Sequence, residues 1–421
     1  MIHTISLAPG VTLRCFPDSR FKQGCISFQI IRPMNLQEAA QNALIPSVLL
    51  RATRNHPDLR SLTHKLDELY GAAVSTVVRR VGDYQTTGLY CSFLDDRFAL
   101  TGDEILRPVL EFLMELLLDS PTENGGFLPE IVESEKKNLI STIESQRNDK
   151  RVYAMDQLFR LMCREDSFGL SRLGEKEQVA AIQPVALYEH YQEILKQSQI
   201  HIFYVGHAQP EVVADILRPM LARMERAPLD LPEQTPFHTC PGEDKVETME
   251  VSQGKLCMGF TSPITNRDPK FAAMQVFNTL YGSGMTSKLF MRIREQLSLC
   301  YGIGSGYYGS KGILAVSAGI DFDKVDKTKQ EVLALLEDCR QGKISPEELE
   351  AGREAVLSTL RATHDSPGSI ENYYATAALS GMKMTPAEYM AAVEQVGISD
   401  VVACARSLCL HSTYFLKGAT E

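Results

Sequence analysis

PEIVESEKKNLISTI, at residues 129–143, decides the fold, because it returns as PEELEAGREAVLSTL at residues 346–360. The two stretches align without a gap. Each begins with a proline, which suits the first turn of a helix because the N–H that proline lacks would have no helical partner there. A recurrence at this distance predicts that the chain contains two copies of one structural unit.

The predicted elements around the two stretches follow the same order in each half of the chain. Alternation and helical periodicity place a strand, two helices and a hairpin in the first half, at 24–32, 36–52, 59–70 and 72–93. The same order returns at 255–260, 269–281, 286–297 and 300–320. We therefore predict an α+β fold of two pseudo-symmetric, duplicated domains, each with a mostly antiparallel sheet packed on helices.

The boundary between the two copies is predicted from a change of composition. The segment ERAPLDLPEQTPFHTCPGEDK, at 225–245, holds four prolines and shows little periodicity. Such a composition is typical of a linker. The prediction is an N-terminal domain over 1–224, a linker over 225–245 and a C-terminal domain over 246–421.

Charge and cysteine usage exclude several classes of protein. With 43 Lys and Arg against 53 Asp and Glu, the formal net charge is −10, which would repel a phosphate backbone, so no nucleic-acid partner is expected. The ten cysteines form no CxxC pair, which argues against a zinc ribbon or a disulfide scaffold. The N-terminus lacks the pattern of a signal peptide, and no apolar run is long enough to span a bilayer. We expect a cytoplasmic protein without membrane association.

Familiar enzyme motifs are absent or out of context. Residues 304–309 spell GxGxxG, but a strand-like stretch follows them, whereas a dinucleotide site needs a helix there. No GxSxG string occurs, so a serine hydrolase has no support. The nine histidines form no pair with a carboxylate at the spacing of a metal site.

The duplicated α+β domain, the proline-rich linker and several local strings together resemble the insulinase/pitrilysin family of zinc peptidases (inverzincins), which includes the mitochondrial processing peptidase. The resemblance extends over essentially the whole chain. In that family an inverted motif, HxxEH, lies on the first long helix and precedes a string close to LFKGT. Its two histidines bind zinc from one helix face, and its glutamate deprotonates the metal-bound water.

The zinc motif of that family is degenerate in this sequence. LLRAT, at 49–53, corresponds to the string after the motif, which places the histidine positions at Ala43 and Ser47 and the general-base position at Pro46. None of these side chains is suited to hold zinc or take the proton. Glu133 falls on the third-ligand position, where we expect a capping or ion-pairing role. The resemblance thus implies no metal, no cofactor and no catalytic residue in the chain by itself.

The C-terminal half matches the family better. The family carries an Arg and a Tyr seven residues apart, in a string like REKxGLAY, which hold the substrate peptide and the developing oxyanion across a chamber. Residues 294–301 read REQLSLCY, so Arg294 and Tyr301 are the implied substrate-binding residues. A fixed cation and a neutral hydroxyl donor are suited to stabilising charge on a carbonyl oxygen.

The resemblance also implies a partner. Two-domain members of the family from bacteria often work in pairs, in which one subunit carries HxxEH and the other faces it with the Arg/Tyr pair. We therefore predict a zinc-less, peptidase-like subunit that binds peptide and completes the active site of an HxxEH-bearing two-domain partner. A homodimer stays open as the assembly. The alternatives are a stand-alone peptide-binding or scaffold protein, expected if Arg294 and Tyr301 were packed inside, and an active peptidase with a different constellation.

Overall fold

A computed structural model describes residues 2–235, 237 and 240–418 of the chain. Contacts between residues group the chain into two compact units, each built from separate segments. The first unit comprises 1–144, 170–233 and 364–376, and the second comprises 145–169, 234–363 and 377–421. Each unit therefore takes segments from both halves of the sequence, and neither is a continuous half of it.

The first unit is built on a six-stranded sheet. Its strands, with a small separate ribbon formed by β6 and β7, are β1 (His3–Ala8), β2 (Val11–Pro17), β3 (Gln23–Pro33), β4 (Ala73–Val81), β5 (Tyr84–Leu94), β6 (Thr122–Glu123), β7 (Gly126–Phe127) and β8 (Gln199–Gly206). The sheet order is β1-β2-β8-β3-β5-β4, and the pairs are antiparallel except for β2 with β8. Alternate residues of the central strand β3, namely Ile26, Phe28 and Ile30, face the main hydrophobic core.

Helices cover the core face of this sheet. Up to Leu221 the helices are α1 (Leu36–Leu49), α2 (Leu59–Glu68), α3 (Leu106–Leu118), α4 (Pro129–Asn148), α5 (Lys150–Met162), α6 (Lys176–Ala181), α7 (Pro184–Gln197) and α8 (Pro210–Leu221). Of these, α5 belongs to the second unit. Helix α3 contributes a buried stripe that includes Leu110 and Leu113, as helical spacing predicts for one apolar face.

The second unit repeats the architecture with five strands. They are β9 (Asp244–Met249), β10 (Gly254–Thr261), β11 (Cys300–Tyr308), β12 (Ile313–Ile320) and β13 (Cys409–Gly418). Their order, β11-β12-β10-β13-β9, reproduces β4-β5-β3-β8-β2 of the first sheet, and the single parallel pair, β13 with β9, recurs at the equivalent place. The predicted α+β fold of two duplicated domains is thus confirmed.

Helices also pack on the second sheet. The helices after Leu221 are α9 (Phe271–Tyr281), α10 (Val325–Arg340), α11 (Pro346–Ala362), α12 (Pro367–Ser380), α13 (Pro386–Glu394) and α14 (Ile398–Ser407). Of these, α12 lies mostly in the segment 364–376, which belongs to the first unit. On the opposite face of the sheet, Ala154 and Leu158 of α5 form a core cluster with Cys257 of β10. A Cβ at Gly259 would lie 2.1 Å from the Met162 sulfur, so α5 packs directly on this strand.

Several predicted elements differ from those in the structure. The predicted α-helix over 286–297 is a π-helix over Phe290–Gln296, and the helix predicted over 36–52 ends at Leu49 with Pro46 inside it. Helix α5 has no counterpart among the sequence-based elements. These differences arise because periodicity reports which face is buried, whereas tertiary packing decides where a helix ends.

The domain limits of 1–224 and 246–421 stay a prediction. The structure shows a change of unit between Glu233 and Gln234, and a strand already begins at Asp244 inside the predicted linker. Pro236, His238 and Thr239 of that linker lie outside the described residues.

Candidate functional site

Helix α1 carries the three degenerate positions. The side chain of Asn35 caps its N-terminus by accepting a hydrogen bond from the Gln37 N–H at 2.8 Å. Ala43 and Pro46 are buried, and Ser47 is half-buried. The spacing of the three positions does place them on one side of the helix. Their side chains supply one hydroxyl and no carboxylate, imidazole or thiolate.

Pro46 sits inside α1 without breaking it, because a neighbouring strand replaces the hydrogen bond that proline cannot make. A proline at this position leaves the carbonyl of Asn42, one turn earlier, without its helical donor. The Thr87 hydroxyl, on β5, donates to that carbonyl at 2.5 Å. The helix and the sheet are therefore adapted to a proline where the family has its general base.

A neutral hydrogen-bond network occupies the core beside Ala43. The buried Asn42 amide donates to Gln85 Oε1 at 2.9 Å, and Asn42 Oδ1 lies 2.7 Å from His190 Nε2. Since Asn42 Oδ1 can only accept, His190 is its donor. Gln85 in turn donates to the backbone carbonyls of Ala39 and Arg172. Burial lowers the pKa of His190, which favours the neutral ring.

Glu133 lies on α4 and has a partner of its own. Lys136 Nζ donates to its carboxylate at 2.7 Å and to the carbonyl of Ile182 at 2.9 Å. The Glu133 side chain is half-exposed. The adjacent carboxylate, Glu135, pairs instead with Arg51 at 2.8 Å. Both carboxylates are thus engaged in ion pairs within the first unit.

The residues at the family's zinc positions do not fit a zinc ion. Zinc needs three or four nitrogen, sulfur or carboxylate ligands in a tetrahedral arrangement. Glu133 is the single residue of that type at the four matched positions. Over the described residues, no group of three or more His, Cys, Asp or Glu is arranged to hold a metal ion.

Arg294 lies in the π-helix Phe290–Gln296 of the second unit. The wide turns of this helix are closed by backbone hydrogen bonds, for example from the Leu297 N–H to the Arg292 carbonyl at 3.0 Å. After the helix ends, Ser298 has a positive φ of 49°. Short π-helical turns often mark functional sites. The Arg294 guanidinium stacks 4.6 Å from the Phe290 ring centre and lies 3.4 Å from the Glu295 carboxylate. Its side chain is 41% exposed.

Tyr301 is the second residue of the edge strand β11 and is 66% exposed. Its hydroxyl makes a long hydrogen bond of 3.3 Å to Asp321 Oδ1. The register of β11 shifts between Cys300 and Gly302, so Tyr301 occupies an irregular position that turns it away from the ladder. Burial raises the pKa of the Cys300 thiol to about 11, and the charge of Arg294 opposes that rise, which places Arg294 near the start of β11.

A cavity of about 810 Å³ adjoins Tyr301 in the second unit. It is lined by residues at the start of α5, by Lys255 and Cys257 of β10 and by residues 301–304 of β11 and 317–319 of β12. Sequence reasoning missed this site, because Lys255 lies 104 residues after Arg151 and the three cations, Lys150, Arg151 and Lys255, match no motif. The available signal was the basic pair at the N-terminus of α5.

Comparison with known proteins confirms the resemblance. Residues 181–356 match the family model described as the Peptidase M16 inactive domain. A Bacillus subtilis protein named probable inactive metalloprotease YmfF is 27% identical over 409 residues, covering 97% of this chain and 96% of that protein. A second protein of that organism, named uncharacterized zinc protease YmxG, is 21% identical and covers 74% of this chain and 76% of its own length.

Solved structures agree on the fold. A conserved protein from Enterococcus faecalis superposes with a TM-score of 0.93 at 24% identity, covering 100% of this chain and 99% of the other. A Pseudomonas fluorescens structure described as a peptidase M16 inactive domain gives 0.81 at 16% identity, covering 100% and 98%. The chain is therefore similar to M16 peptidase-like proteins over nearly its whole length, and the matching family model and relative are both described as inactive.

Proposed function

We propose that this chain is a non-catalytic, peptide-binding subunit that completes the active site of an HxxEH-bearing M16 partner. One contrast supports the proposal. Of the residues at the zinc positions, Ala43 and Pro46 are buried in the first unit and Glu133 pairs with Lys136. In the second unit, Arg294 is 41% exposed and Tyr301 is 66% exposed. Zinc is expected only in the partner.

The chemistry of the two exposed side chains suits a peptide carbonyl. Arg294 offers a fixed positive charge with several N–H donors, and Tyr301 offers a neutral O–H donor. Both kinds of donor stabilise negative charge that develops on a carbonyl oxygen. Neither residue can attack a peptide bond or activate water by itself, so the arrangement supports a substrate-positioning role in trans.

A sheet edge that is exposed at Tyr301 and Gly302 supports the peptide-binding part of the proposal. Strand β11 pairs with β12 on one side and is the edge of the second sheet. An extended peptide can add to such an edge through backbone hydrogen bonds, which accept many sequences. The substrate class proposed is therefore an unfolded or extended peptide.

The stand-alone scaffold is the weaker alternative. It would be favoured if Arg294 and Tyr301 were packed in an interior, but their exposed fractions are 41% and 66%. A homodimer is the second form of assembly to be tested. A cytoplasmic location is also part of the proposal. Its support is that no disulfide joins any of the ten cysteines, nine of which are buried. No helix among the described residues is long and apolar enough to span a membrane.

Co-expression with an HxxEH-bearing two-domain chain of the same genome tests the proposal. We expect a stoichiometric complex that cleaves an unstructured fluorogenic peptide in a chelator-sensitive manner, and no cleavage by this chain alone. Size-exclusion chromatography with light scattering would identify the complex or a homodimer. Equal cleavage by the partner with and without this chain would refute the completing role.

A further inference from the structure

The cavity beside Tyr301 contains a cluster of cations. Three of its lining residues, Lys150, Arg151 and Lys255, are basic, and Asp149 is the one carboxylate among the lining residues that the structure describes. The chain as a whole carries a formal charge of −10. The cluster is therefore a local positive site on an acidic protein, and screening over about 8 Å at physiological salt limits its reach to the cavity itself.

The position of Lys255 is the strongest indication of a ligand. It lies on β10, in the middle of the sheet, opposite Gly319 of β12 and Leu416 of β13. Lysine seldom occupies a partly buried place on a central strand unless an anion accompanies it. Its ammonium group donates to the neutral Gln253 side chain. Burial, assisted by the charge of Arg151, lowers the pKa of Lys255, so an anion in the cavity would relieve this cost.

Asp149 offsets only part of the charge of the cluster, because its carboxylate raises the pKa of Lys255 by less than burial and Arg151 lower it. Its carboxylate caps helix α5 by accepting hydrogen bonds from the N–H groups of Arg151 and Val152, at 3.0 and 3.2 Å. Its contact with the Arg151 guanidinium is a loose 3.7 Å. The three cations thus outnumber the single, already engaged carboxylate.

The cavity also meets the peptide-accepting edge of β11. The Ser305 N–H points away from β12 and donates to the Gly282 carbonyl at 2.9 Å. Because outward and inward backbone groups alternate along a strand, those of Ile303 share the outward direction. Ile303 lines the cavity. The Ser305 N–H is already bonded, so a peptide would add to the edge before Ser305, where Ile303 lines the same cavity as the three cations.

We propose that this cavity binds a carboxylate of the peptide and so gives the chain a preference for acidic peptides. This inference rests on the proposed function, because it assigns a substrate class to the same Tyr301 site. The carboxylate could belong to an Asp or Glu side chain or to the peptide C-terminus. The chemistry of recognition is the same for both, namely charge-assisted hydrogen bonds from ammonium and guanidinium groups.

Calorimetric titration of the purified full chain with short unstructured peptides tests the proposal. Four versions of one peptide of about ten residues are compared: with a central Glu and a free C-terminus, with Glu replaced by Gln, with an amidated C-terminus, and with both changes. We expect the doubly neutralised peptide to bind about tenfold more weakly, as loss of charge-assisted bonds predicts. The two single changes show which carboxylate is bound.

Matched variants connect the effect with the cavity. Lys255→Gln should abolish the preference, and Lys255→Arg should keep most of it. Lys343→Gln, which removes an exposed cation paired with Asp338, is the control and should bind as wild type does. Circular dichroism melting of each variant verifies folding.

The outcomes separate this inference from the proposed function. If all four peptides bind equally, or Lys255→Gln leaves the preference intact, the carboxylate site is refuted while peptide binding stands. If no peptide binds, peptide binding and the carboxylate site are both refuted.

Discussion

Helix α1 and the corner formed by residues 290–301, which carries Arg294 and Tyr301, differ in whether they hold the side chains expected at the family's functional positions. In α1 the positions of the family's catalytic groups are occupied by Ala43, Pro46 and Ser47, and a strand hydroxyl and an amide network have been fitted around them. In the corner, Arg294 stacks on Phe290 and Tyr301 makes one long hydrogen bond to Asp321, and both side chains stay exposed. Core packing therefore accounts for Ala43 and Pro46 but not for Arg294 and Tyr301, which is why we propose that the second pair acts on another molecule.

The largest expected effect is on turnover in the exposed corner. Removing one oxyanion donor typically costs on the order of a hundredfold or more in turnover. Arg294→Ala and Tyr301→Phe should each lower kcat of the reconstituted pair by about that factor, with nearly unchanged melting temperature, since both side chains are largely exposed. Steady-state kinetics and melting curves on the assembled complex measure the two quantities.

Arg292→Ala is the matched control for Arg294. Arg292 lies on the same π-helix and contacts Gln296 at 3.1 Å and Glu331 at 3.4 Å. It should leave kcat within about twofold of wild type. If the Arg294 and Tyr301 variants are less stable but keep the wild-type kcat per folded complex, the two residues have a structural role, and the contrast with α1 is wrong.

The next largest effect is expected in the way the free energy of unfolding changes with pH. Two buried histidines of the first unit should cause most of this change. Burial lowers the pKa of His201 to about 3 and also lowers that of His190. A histidine whose folded pKa is depressed stabilises the fold above the unfolded pKa of about 6.5 and loses that contribution as pH falls toward the folded pKa. Each should contribute a slope of up to about 1.4 kcal/mol per pH unit below that point.

Urea unfolding between pH 7 and pH 4.5 measures this slope. His201→Gln and His190→Gln should each flatten it, whatever they do to stability at pH 7. His64→Gln, at an exposed position on α2, is the control. Slopes that match wild type in both buried variants would contradict the assignment of neutral, buried histidines.

A smaller effect is expected at the proline of α1. Thr87→Val removes the hydroxyl that bonds the Asn42 carbonyl and should destabilise the protein by about 1 to 2 kcal/mol, because a buried acceptor is left without its donor. The neighbouring Thr86 is equally buried, and its hydroxyl has no hydrogen-bond partner. Thr86→Val should therefore be neutral or slightly stabilising. Equal losses in the two variants, by denaturant unfolding, would show that Thr87 does not compensate for Pro46.

For zinc binding and unaided peptide hydrolysis we expect no measurable activity or change. The purified chain should hold no stoichiometric zinc, and the combined change Ala43→His, Pro46→Glu and Ser47→His should not restore zinc or peptide hydrolysis. Ala43 is only 3% exposed, so a histidine there would overfill the core. Zinc ligands also need a supporting shell that the Asn42 network does not supply. Elemental analysis and chelator-sensitive turnover provide the readout, and about one zinc per triple-variant chain would show that the site survived intact.

Much of the fold could be predicted because local sequence patterns, such as helix-starting prolines and the alternation of strands, encode it. The prolines at 129 and 346 do begin helices α4 and α11, and alternation in 84–93 corresponds to β5. The π-helix of Arg294 could not be predicted, because its sequence has ordinary helical propensity and only the tertiary constraints around it select the wider turn.

The sequence by itself determined that zinc ligands are missing at the family's motif positions and that an Arg and a Tyr stand seven residues apart. Side-chain chemistry is a property of the residue, so the absence of zinc ligands at Ala43, Pro46 and Ser47, and the spacing of Arg294 and Tyr301, could be read without coordinates. The tertiary structure alone decided which groups meet. Thr87 bonds Asn42, and Lys255 joins Lys150 and Arg151 in one cavity, across distances along the chain that no local pattern encodes. Such contacts follow from sheet order and helix packing, because these bring side chains from distant segments within reach of one another.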